Sequence, residues 1–530
     1  MAGGPYAMGI DYGTGGVRVG LFDAGGHPTV FHSVEFATAF PRPGRAEQDP
    51  AVWWSSLVQA VRGAVQESGV HPEDIVGIGV DTTGATLLAM DAHDAPLRPA
   101  MMWMDVRASD EAEEIAATRD PALKYSGHGP VSAEWGLPKC LWLKRREPET
   151  WAASAHVCDA TDWLVNRLTG EWAGSVNVAA TKYYFDRDAG GFPESLLSAI
   201  GLEDLLEKYP GYVTDMGDVV GGLRRDVAEE LGLRPGTPVA QGGIDGFVGM
   251  IGLGVIEPGK LAFITGSSHA LLGQAAEPIH GRGFWGAYTD AVIPGQYTLE
   301  AGQSSTGSVV AWFKNTCAKR AAEEAARRDV DPYVVLNEMA AAVPAGSDGL
   351  IVLDYFQGNR TPHTDPLARG MIWGLSLAHT EGHLFRAILE GICYGTEDIL
   401  RTFRGHDFEP RLNVVSGGPT KSDLWMQIHA DVSNVPITVN EVGEGPVLGA
   451  AILGAVGAGI HHDIPTAVDA MVHAERIVEP DQARHDEYRF YADRYTETYA
   501  QMRDLMHLTS RHVAERDPVS GGQGAGRTGK

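Results

Sequence analysis

The chain has 530 residues, which is more than one hydrophobic core usually supports, so its length favours two domains. Its apolar fraction of 44% and charged fraction of 21% are ordinary for a globular protein. The formal net charge of -27 argues against nucleic acid or an anionic membrane as a partner, because such a field repels both.

The four cysteines are widely separated and form no CxxC pair: Cys140, Cys158, Cys317 and Cys393. They predict neither a disulfide framework nor a zinc site, and they fit a reducing, cytoplasmic compartment. No apolar run approaches the roughly 20 residues that span a bilayer, and the N-terminus lacks the pattern of a signal peptide. The glycine-rich and serine-rich end, residues 513–530, predicts a disordered tail.

The first predicted element is a β-hairpin, because alternating apolar residues flank a glycine-rich turn at residues 13–16. Apolar residues then recur at helical spacing from Trp54 to Val65, and residues 75–80 form the short apolar run of a buried strand. Strands that alternate with helices predict an α/β architecture.

The second half repeats this plan after a glycine-rich stretch, residues 242–259. A predicted strand at residues 260–264 leads into the turn Thr265-Gly266-Ser267-Ser268 and a further strand at residues 269–272. Two halves that each open with such a hairpin suggest a duplicated fold that holds a nucleotide. Later elements are predicted as helices at residues 384–392, 424–432 and 446–459 and as a strand at residues 412–415.

Three glycine-containing turns are candidate phosphate or nucleotide contacts. In the first turn, at residues 13–16, glycine lets a phosphate approach main-chain N–H groups and Thr14 adds a hydroxyl. Asp11, just before this turn, is a candidate ligand for Mg²⁺. The second holds Thr265 and Gly266. The third, Ser416-Gly417-Gly418-Pro419, ends a strand before a helix whose free N–H groups favour anions, with Ser422 nearby. Each of these sequences is also typical of an ordinary turn. The occurrence of two matching turns, one in each half, is therefore stronger evidence for phosphate binding than any single turn.

Asp245 is the candidate general base. It lies in a glycine-flanked stretch, Gly242-Gly243-Ile244-Asp245-Gly246, which predicts a tight turn that exposes the carboxylate to a substrate hydroxyl. An aspartate that only stabilises its own turn is the structural alternative.

Two other patterns are rejected. Residues 254–261 nearly fit the P-loop, but Leu261 replaces the hydroxyl residue that would ligate Mg²⁺ and a strand follows. The pair His379 and His383 lacks the glutamate position of a metalloprotease and instead predicts a helix start.

Taken together, the residues resemble the FGGY carbohydrate kinases from about residue 8 to about residue 505. The stretch Gly370-Met-Ile-Trp-Gly374-Leu375, followed after seven residues by His383-Leu-Phe-Arg-Ala387-Ile-Leu-Glu390, resembles the second signature of this family. Within the family the chain looks most like ribulokinases, in segments that include residues 77–83, Trp103 to Asp105, Pro138-Lys139, Glu300 to Ser304 and residues 358–362.

The resemblance implies a two-domain, duplicated actin/Hsp70-like ATPase fold with ribonuclease H-like domains and an interdomain cleft. Residues 1–254 would form the sugar-binding domain and residues 255–512 the ATP-binding domain.

The resemblance also implies roles for individual site residues. Asp245 would be the catalytic base, and Asp11 would serve metal and phosphates. Sugar binding would fall to Gly84, Ala85, Lys182, Asp245 and Glu300, and nucleotide binding to Thr14, Thr265, Gly266, Gly307, Gly418 and Ser422.

The expected reaction is phosphorylation of a small open-chain sugar, a pentulose such as ribulose, to its 5-phosphate, with ATP and Mg²⁺ and with closure of the cleft. Xylulose, erythritol or glycerol remain alternative acceptors. A non-catalytic nucleotide-binding protein like actin or Hsp70 is the alternative from another class, but it would not need Lys182 or Glu300. A homodimer is an expectation at the level of the family.

Overall fold

The computed structural model describes residues 4–515, which fall into two units. Unit 1 comprises residues 4–262, 272–300 and 439–475, and unit 2 comprises residues 263–271, 301–438 and 476–515. Each unit is therefore assembled from three stretches of chain. None of the helices within residues 4–515 has the length and apolar character to cross a membrane.

The strands, in chain order, are β1 Tyr6–Gly13, β2 Gly16–Asp23, β3 Pro28–Glu35, β4 Glu47–Gln48, β5 Ile75–Thr82, β6 Leu87–Met90, β7 Ala100–Met101, β8 His156–Asp159, β9 Gly174–Ser175, β10 Val213–Thr214, β11 Val219–Gly222, β12 Pro238–Ala240, β13 Gly243–Ile244, β14 Lys260–Thr265, β15 His269–Ala275, β16 Trp285–Thr289, β17 Tyr297–Gln303, β18 Ile351–Leu353, β19 Met371–Trp373, β20 Leu412–Ser416, β21 Ile437–Asn440 and β22 Ala474–Val478.

The α-helices are α1 Pro50–Ser68, α2 Ser109–Thr118, α3 Gly136–Arg146, α4 Pro148–Ala153, α5 Ala160–Thr169, α6 Val176–Tyr183, α7 Glu194–Ile200, α8 Leu205–Lys208, α9 Arg225–Leu231, α10 Asp245–Gly252, α11 Gly307–Thr316, α12 Lys319–Arg328, α13 Pro332–Ala341, α14 Glu381–Arg404, α15 Asp423–Ser433, α16 Gly445–Gly457, α17 Ile464–Met471 and α18 Gln482–Glu515. Short 3₁₀ helices lie at Pro72–Asp74, Pro121–Ser126, Ser347–Gly349 and Gly418–Lys421.

A seven-stranded sheet forms the centre of unit 1, with the order β11-β12-β5-β1-β2-β3 and with β13 paired to β5. The predicted hairpin is confirmed, because β1 and β2 pair antiparallel up to Gly13 and Gly16. β5 then lies parallel to β1, so their carboxyl ends meet at one edge. The apolar face of the sheet packs on α1, whose buried residues include Trp53, Trp54 and Leu57.

Helix α16 lies directly on β1 and β5. A Cβ atom on Gly9 would stand 2.0 Å from the carbonyl oxygen of Val447, and one on Gly79 would stand 1.9 Å from that of Ala450. Only a helix and strands built from small residues can approach this closely. The small-residue sequence of residues 446–459 predicted this close packing, and the structure confirms it.

A second seven-stranded sheet has the order β16-β17-β15-β14-β20-β21-β22. Within unit 2, the long helix α14 begins at a capping box on Thr380 and is buried along most of its length. It packs with α13, α15 and α18 around this core. The rejection of the two histidines as a metal motif is consistent with this helix start at Glu381.

The predicted α/β class and most predicted elements are confirmed, but two predictions need correction. Residues 242–246 do not form a tight turn, since β13 ends at Ile244 and α10 begins at Asp245. The predicted disordered tail begins too early, because residues 513–515 are the last residues of α18. The rest of that tail, residues 516–530, lies outside the described residues.

Candidate active site

Three aspartates gather at one edge of the sheet in unit 1. Asp11 on β1 is opposite Asp81 on β5, and Asp81 is in turn opposite Gly243 on β13, two residues before Asp245. The strands are parallel, so their carboxyl ends deliver all three side chains to the same edge. This edge is where open α/β sheets usually bind ligands.

Asp245 is the first residue of α10 and is partly exposed. Its surroundings raise the pKa of the carboxyl to about 7, chiefly through desolvation and also through the charge of Asp11. The N–H of Gly246 donates to it at 2.7 Å, and this bond and the charge of Lys182 limit the rise. A carboxylate with a pKa near 7 suits general base chemistry at neutral pH.

Asp81 also lies at this edge. It belongs to residues 77–83, one of the segments that resemble ribulokinases, but the sequence predicted no role for it. It is fully buried, and among the described residues its carboxyl has no hydrogen-bond partner other than the facing carboxyl of Asp11. Burial and the facing carboxyl of Asp11 raise its pKa well above the usual range. The pKa of Asp11 is raised as well, mainly by burial. The signal in the sequence was an acidic residue at the end of an otherwise apolar strand.

Lys182 and Glu300 were selected for sugar binding from distant parts of the sequence, and the structure brings them together. The Lys182 Nζ lies 3.7 Å from the Glu300 Oε2, and both side chains are largely buried. The hydroxyl of Tyr288 donates to the same carboxylate oxygen at 3.1 Å. The rings of Trp135 and Phe247 lie 5.6 and 5.8 Å from the lysine Nζ. These polar groups with aromatic walls are typical of a pocket for a small polyol.

The loop with Gly84 and Ala85 follows β5 at this edge. A Cβ on Gly84 would stand 2.4 Å from Cγ1 of Ile244, so glycine is needed for the loop to pack beside the residue that precedes Asp245. One side of the loop is fixed by Asp159, whose Oδ2 accepts the N–H of Thr86 at 2.9 Å. The loop therefore contacts the element that carries Asp245.

Thr14 occupies the turn between β1 and β2. Its carbonyl accepts the side-chain amide of Gln48 at 2.8 Å, and its hydroxyl oxygen accepts the indole N–H of Trp103 at 2.9 Å. The threonine hydroxyl keeps its own proton for a further acceptor. The indole contact orients this hydroxyl and was not anticipated from the sequence.

Unit 2 contains a pocket with a cavity volume of about 1040 Å³. Four of the residues predicted to bind nucleotide line it: Gly266, Gly307, Gly418 and Ser422. A Cβ on Gly307 would stand 2.2 Å from the carbonyl oxygen of Gly266, so this wall requires glycine. The volume is at the upper end of the usual range for ligand pockets.

Two predicted nucleotide residues have internal roles in unit 2. The hydroxyl of Thr265 donates to the carbonyl of Ser416 and ties β14 to β20, and Thr265 does not line the pocket. Ser422 caps α15 by accepting the N–H of Trp425 at 3.2 Å, and its hydroxyl donates to Asn337 at 2.6 Å. Asn337, which also lines the pocket, was missed because helix α13 has no nucleotide motif.

Comparison with known proteins defines the class. Residues 6–252 match the N-terminal domain of the FGGY family of carbohydrate kinases, and residues 261–458 match its C-terminal domain. The chain belongs to this family. It is a carbohydrate kinase that transfers a phosphoryl group from ATP to a sugar hydroxyl, as the resemblance of the sequence predicted.

Individual relatives place the chain within the family. It is 34% identical over 493 residues to the ribulokinase of Geobacillus thermodenitrificans, with 86% of each chain covered. It is 33% identical over 535 residues to the ribulokinase of Shouchella clausii, covering 94% of this chain and 95% of the relative. The crystal structure of xylulose kinase from Rhodospirillum rubrum superposes with a TM-score of 0.85 at 28% identity, over 95% of this chain and 100% of the other.

Proposed function

We propose that unit 1 binds an open-chain pentulose, ribulose, and that its 5-hydroxyl receives the γ-phosphate of ATP. The observation that carries the proposal is Asp245, a carboxylate with a pKa raised to about 7 at the edge that also holds the sugar loop. The choice of ribulose is supported by the two relatives named ribulokinase.

Asp245 acts as the general base in this proposal. Its carboxylate accepts the proton of the sugar hydroxyl as that oxygen bonds to the γ-phosphorus, while the bond from phosphorus to the bridging oxygen breaks and ADP leaves. The proposal therefore includes an encounter between the bound sugar and the bound ATP during turnover.

Lys182 and Glu300 bind sugar hydroxyls. The ammonium is a donor and the carboxylate an acceptor, so together they recognise both sides of a hydroxyl. Main-chain groups of Gly84 and Ala85 line the rest of the sugar pocket. The aromatic walls of Trp135 and Phe247 limit water around these groups.

In this proposal the glycine-lined pocket of unit 2 binds ATP, the hydroxyl of Thr14 contacts a phosphate during turnover, and Asp11 would hold Mg²⁺. No group of three or more histidine, cysteine or acidic residues within residues 4–515 is arranged to hold a metal alone. The fit rests instead on oxygen ligands, since the carboxyl of Asp11 faces that of Asp81 and Mg²⁺ usually takes few carboxylates plus phosphate oxygens. The bound ion would neutralise charge on the phosphates. A cytoplasmic location and a homodimer stay predictions.

The acceptor is tested by a coupled assay of ADP release. The panel contains both enantiomers of ribulose and of xylulose, together with erythritol and glycerol, at fixed Mg²⁺ and ATP. We expect the highest kcat/KM with a ribulose. If none of these acceptors supports ADP release above the sugar-free background, the proposal is wrong.

The base is tested by Asp245→Asn, with Asp226→Asn as the control because Asp226 is exposed and contacts Arg224. We expect kcat to fall by about 10³ in the first variant, since general base catalysis contributes roughly 10²–10⁴. Wild-type kcat should rise as pH increases through about 7, because only the deprotonated carboxylate accepts the proton. Near wild-type turnover by Asp245→Asn would exclude this role.

Xylulose is the second candidate acceptor. The xylulose kinase from Rhodospirillum rubrum shares the fold over nearly the whole chain, and its sugar differs from ribulose at one carbon. A few side chains of the sugar pocket decide between these epimers. The same panel separates them, because the proposal for ribulose requires a higher kcat/KM than for either xylulose.

A further inference from the structure

Lys139 on α3 is a fully buried lysine to which the proposed mechanism gives no task. Its ammonium donates to three main-chain carbonyl oxygens, those of Ala85 at 2.7 Å, Met102 at 2.7 Å and Trp103 at 3.2 Å. An ammonium has three N–H donors, so each donor has one acceptor. A buried charge is expensive, but an apolar side chain in its place would leave these three carbonyls without a donor, so the ammonium is needed to hold them together.

The three carbonyls belong to two segments of the site. Ala85 is part of the loop predicted to line the sugar pocket, and the N–H of the next residue, Thr86, is held by Asp159. Trp103 belongs to the segment whose indole donates to the hydroxyl of Thr14. Lys139 thus joins the sugar loop to the segment that orients the first phosphate-binding turn.

We propose that Lys139 is a positioning residue of the sugar site. Its ammonium fixes the carbonyl of Ala85, and with it the main chain of Gly84 and Ala85, in the orientation that receives the sugar. The inference rests on the proposed function, because it assigns to Lys139 the geometry of a loop that function uses.

The role makes sugar binding sensitive to pH. Burial lowers the pKa of Lys139 to about 8. The charged groups that face it are Asp105, Glu134 and Asp159, which favour the ammonium, and Arg107, which opposes it. Above this pH the neutral amine has two donors for three carbonyls and is a weaker donor than the ammonium, so its hold on the carbonyl of Ala85 weakens and the KM for sugar rises.

The test compares Lys139→Met with Lys144→Met in the full-length chain. Lys144 lies on the same helix, but its ammonium contacts the carbonyl of Gly201 and the carboxylate of Asp204. With the best sugar of the panel, we expect Lys139→Met to raise the sugar KM about tenfold at pH 7, with smaller changes in kcat and in the KM for ATP. Lys144→Met should keep the wild-type values.

The pH profile adds a readout that a merely structural role would not change. Between pH 7 and 9.5 the sugar KM of the wild type and of Lys144→Met should rise, while that of Lys139→Met should stay level. If Lys139→Met does not fold, Lys139→Gln, which keeps one amide donor, is measured in the same way.

Two results overturn the inference while the proposed function stands. One is a sugar KM of Lys139→Met within twofold of the wild type, and the other is a wild-type sugar KM that is level from pH 7 to 9.5. A wild type that phosphorylates no sugar of the panel would instead contradict the proposed function itself.

Discussion

The sugar region of unit 1 and the pocket of unit 2 are built in different ways. Unit 1 gathers buried charged side chains, Asp11, Asp81, Lys182 and Glu300, around the carboxylate of Asp245. Unit 2 offers a large cavity with walls of glycine, where main-chain atoms stand close together. Under the proposed function, this difference means that chemistry and acceptor choice depend on side-chain charge, whereas the donor is recognised by shape and by main-chain groups.

The largest effect that sharpens this comparison is expected at Lys182. Lys182→Met removes the ammonium that lies 3.7 Å from the buried carboxylate of Glu300, and with it a hydrogen-bond donor to the sugar, so the sugar KM should rise about 100-fold, which corresponds to roughly 2–3 kcal/mol. The KM for ATP should change little. Steady-state kinetics with each substrate varied in turn measures both constants.

The matched variants are Glu300→Gln and the double variant. Because the two residues form one pair, the double variant should lose less than the sum of the single losses in free energy. If the free-energy losses of the two single variants simply add up in the double variant, Lys182 and Glu300 act independently. That result would contradict the interpretation of the two residues as one charged sugar site.

A smaller effect, confined to the donor, is expected at Gly307. Gly307→Ala places a Cβ 2.2 Å from the carbonyl oxygen of Gly266, so the wall of the pocket must shift. We expect the KM for ATP to rise about tenfold, since overpacking of this kind costs roughly 1–3 kcal/mol, while the sugar KM stays the same. Gly211→Ala, where the added Cβ meets no atom within 4 Å, is the control. An equal rise in both KM values would break the division between the two regions.

The smallest effect is expected on the free energy of unfolding and comes from the buried carboxyl of Asp81 in unit 1. The pKa of Asp81 is raised on folding, so the folded chain binds more protons than the unfolded chain above the ordinary aspartate pKa, and its stability falls as pH rises. Asp81→Asn removes this titration. We expect the variant to be more stable than the wild type at pH 8 by about 1 kcal/mol, with a smaller difference at pH 5.

Thermal unfolding of Asp81→Asn and the wild type at the two pH values measures this difference. Asp91→Asn is a suitable control, because the pKa of Asp91 is lowered by main-chain donors in a surface turn and the sign of its effect is opposite. A gain that does not depend on pH would show that the raised pKa of Asp81 is not the cause.

Much of the fold was readable because it rests on local patterns. Alternating apolar residues gave the hairpin β1–β2, helical spacing gave α1, α14 and α15, and the run of small residues gave the closely packed α16. The turn predicted at Asp245 was wrong because the glycines around it serve close packing and the start of α10 rather than a change of direction.

By itself, the sequence determined the hydrophobic periodicity, the glycine turns and the resemblance that selected Asp11, Asp245, Lys182 and Glu300. Only the tertiary structure decided that Lys182 lies 3.7 Å from Glu300 and that the hydroxyl of Thr265 donates to a carbonyl of β20. It also decided that Asp81 and Lys139 are buried beside the site. The physical reason is that pKa values and pairings depend on burial and on neighbours distant in the chain, and no local pattern encodes either of these.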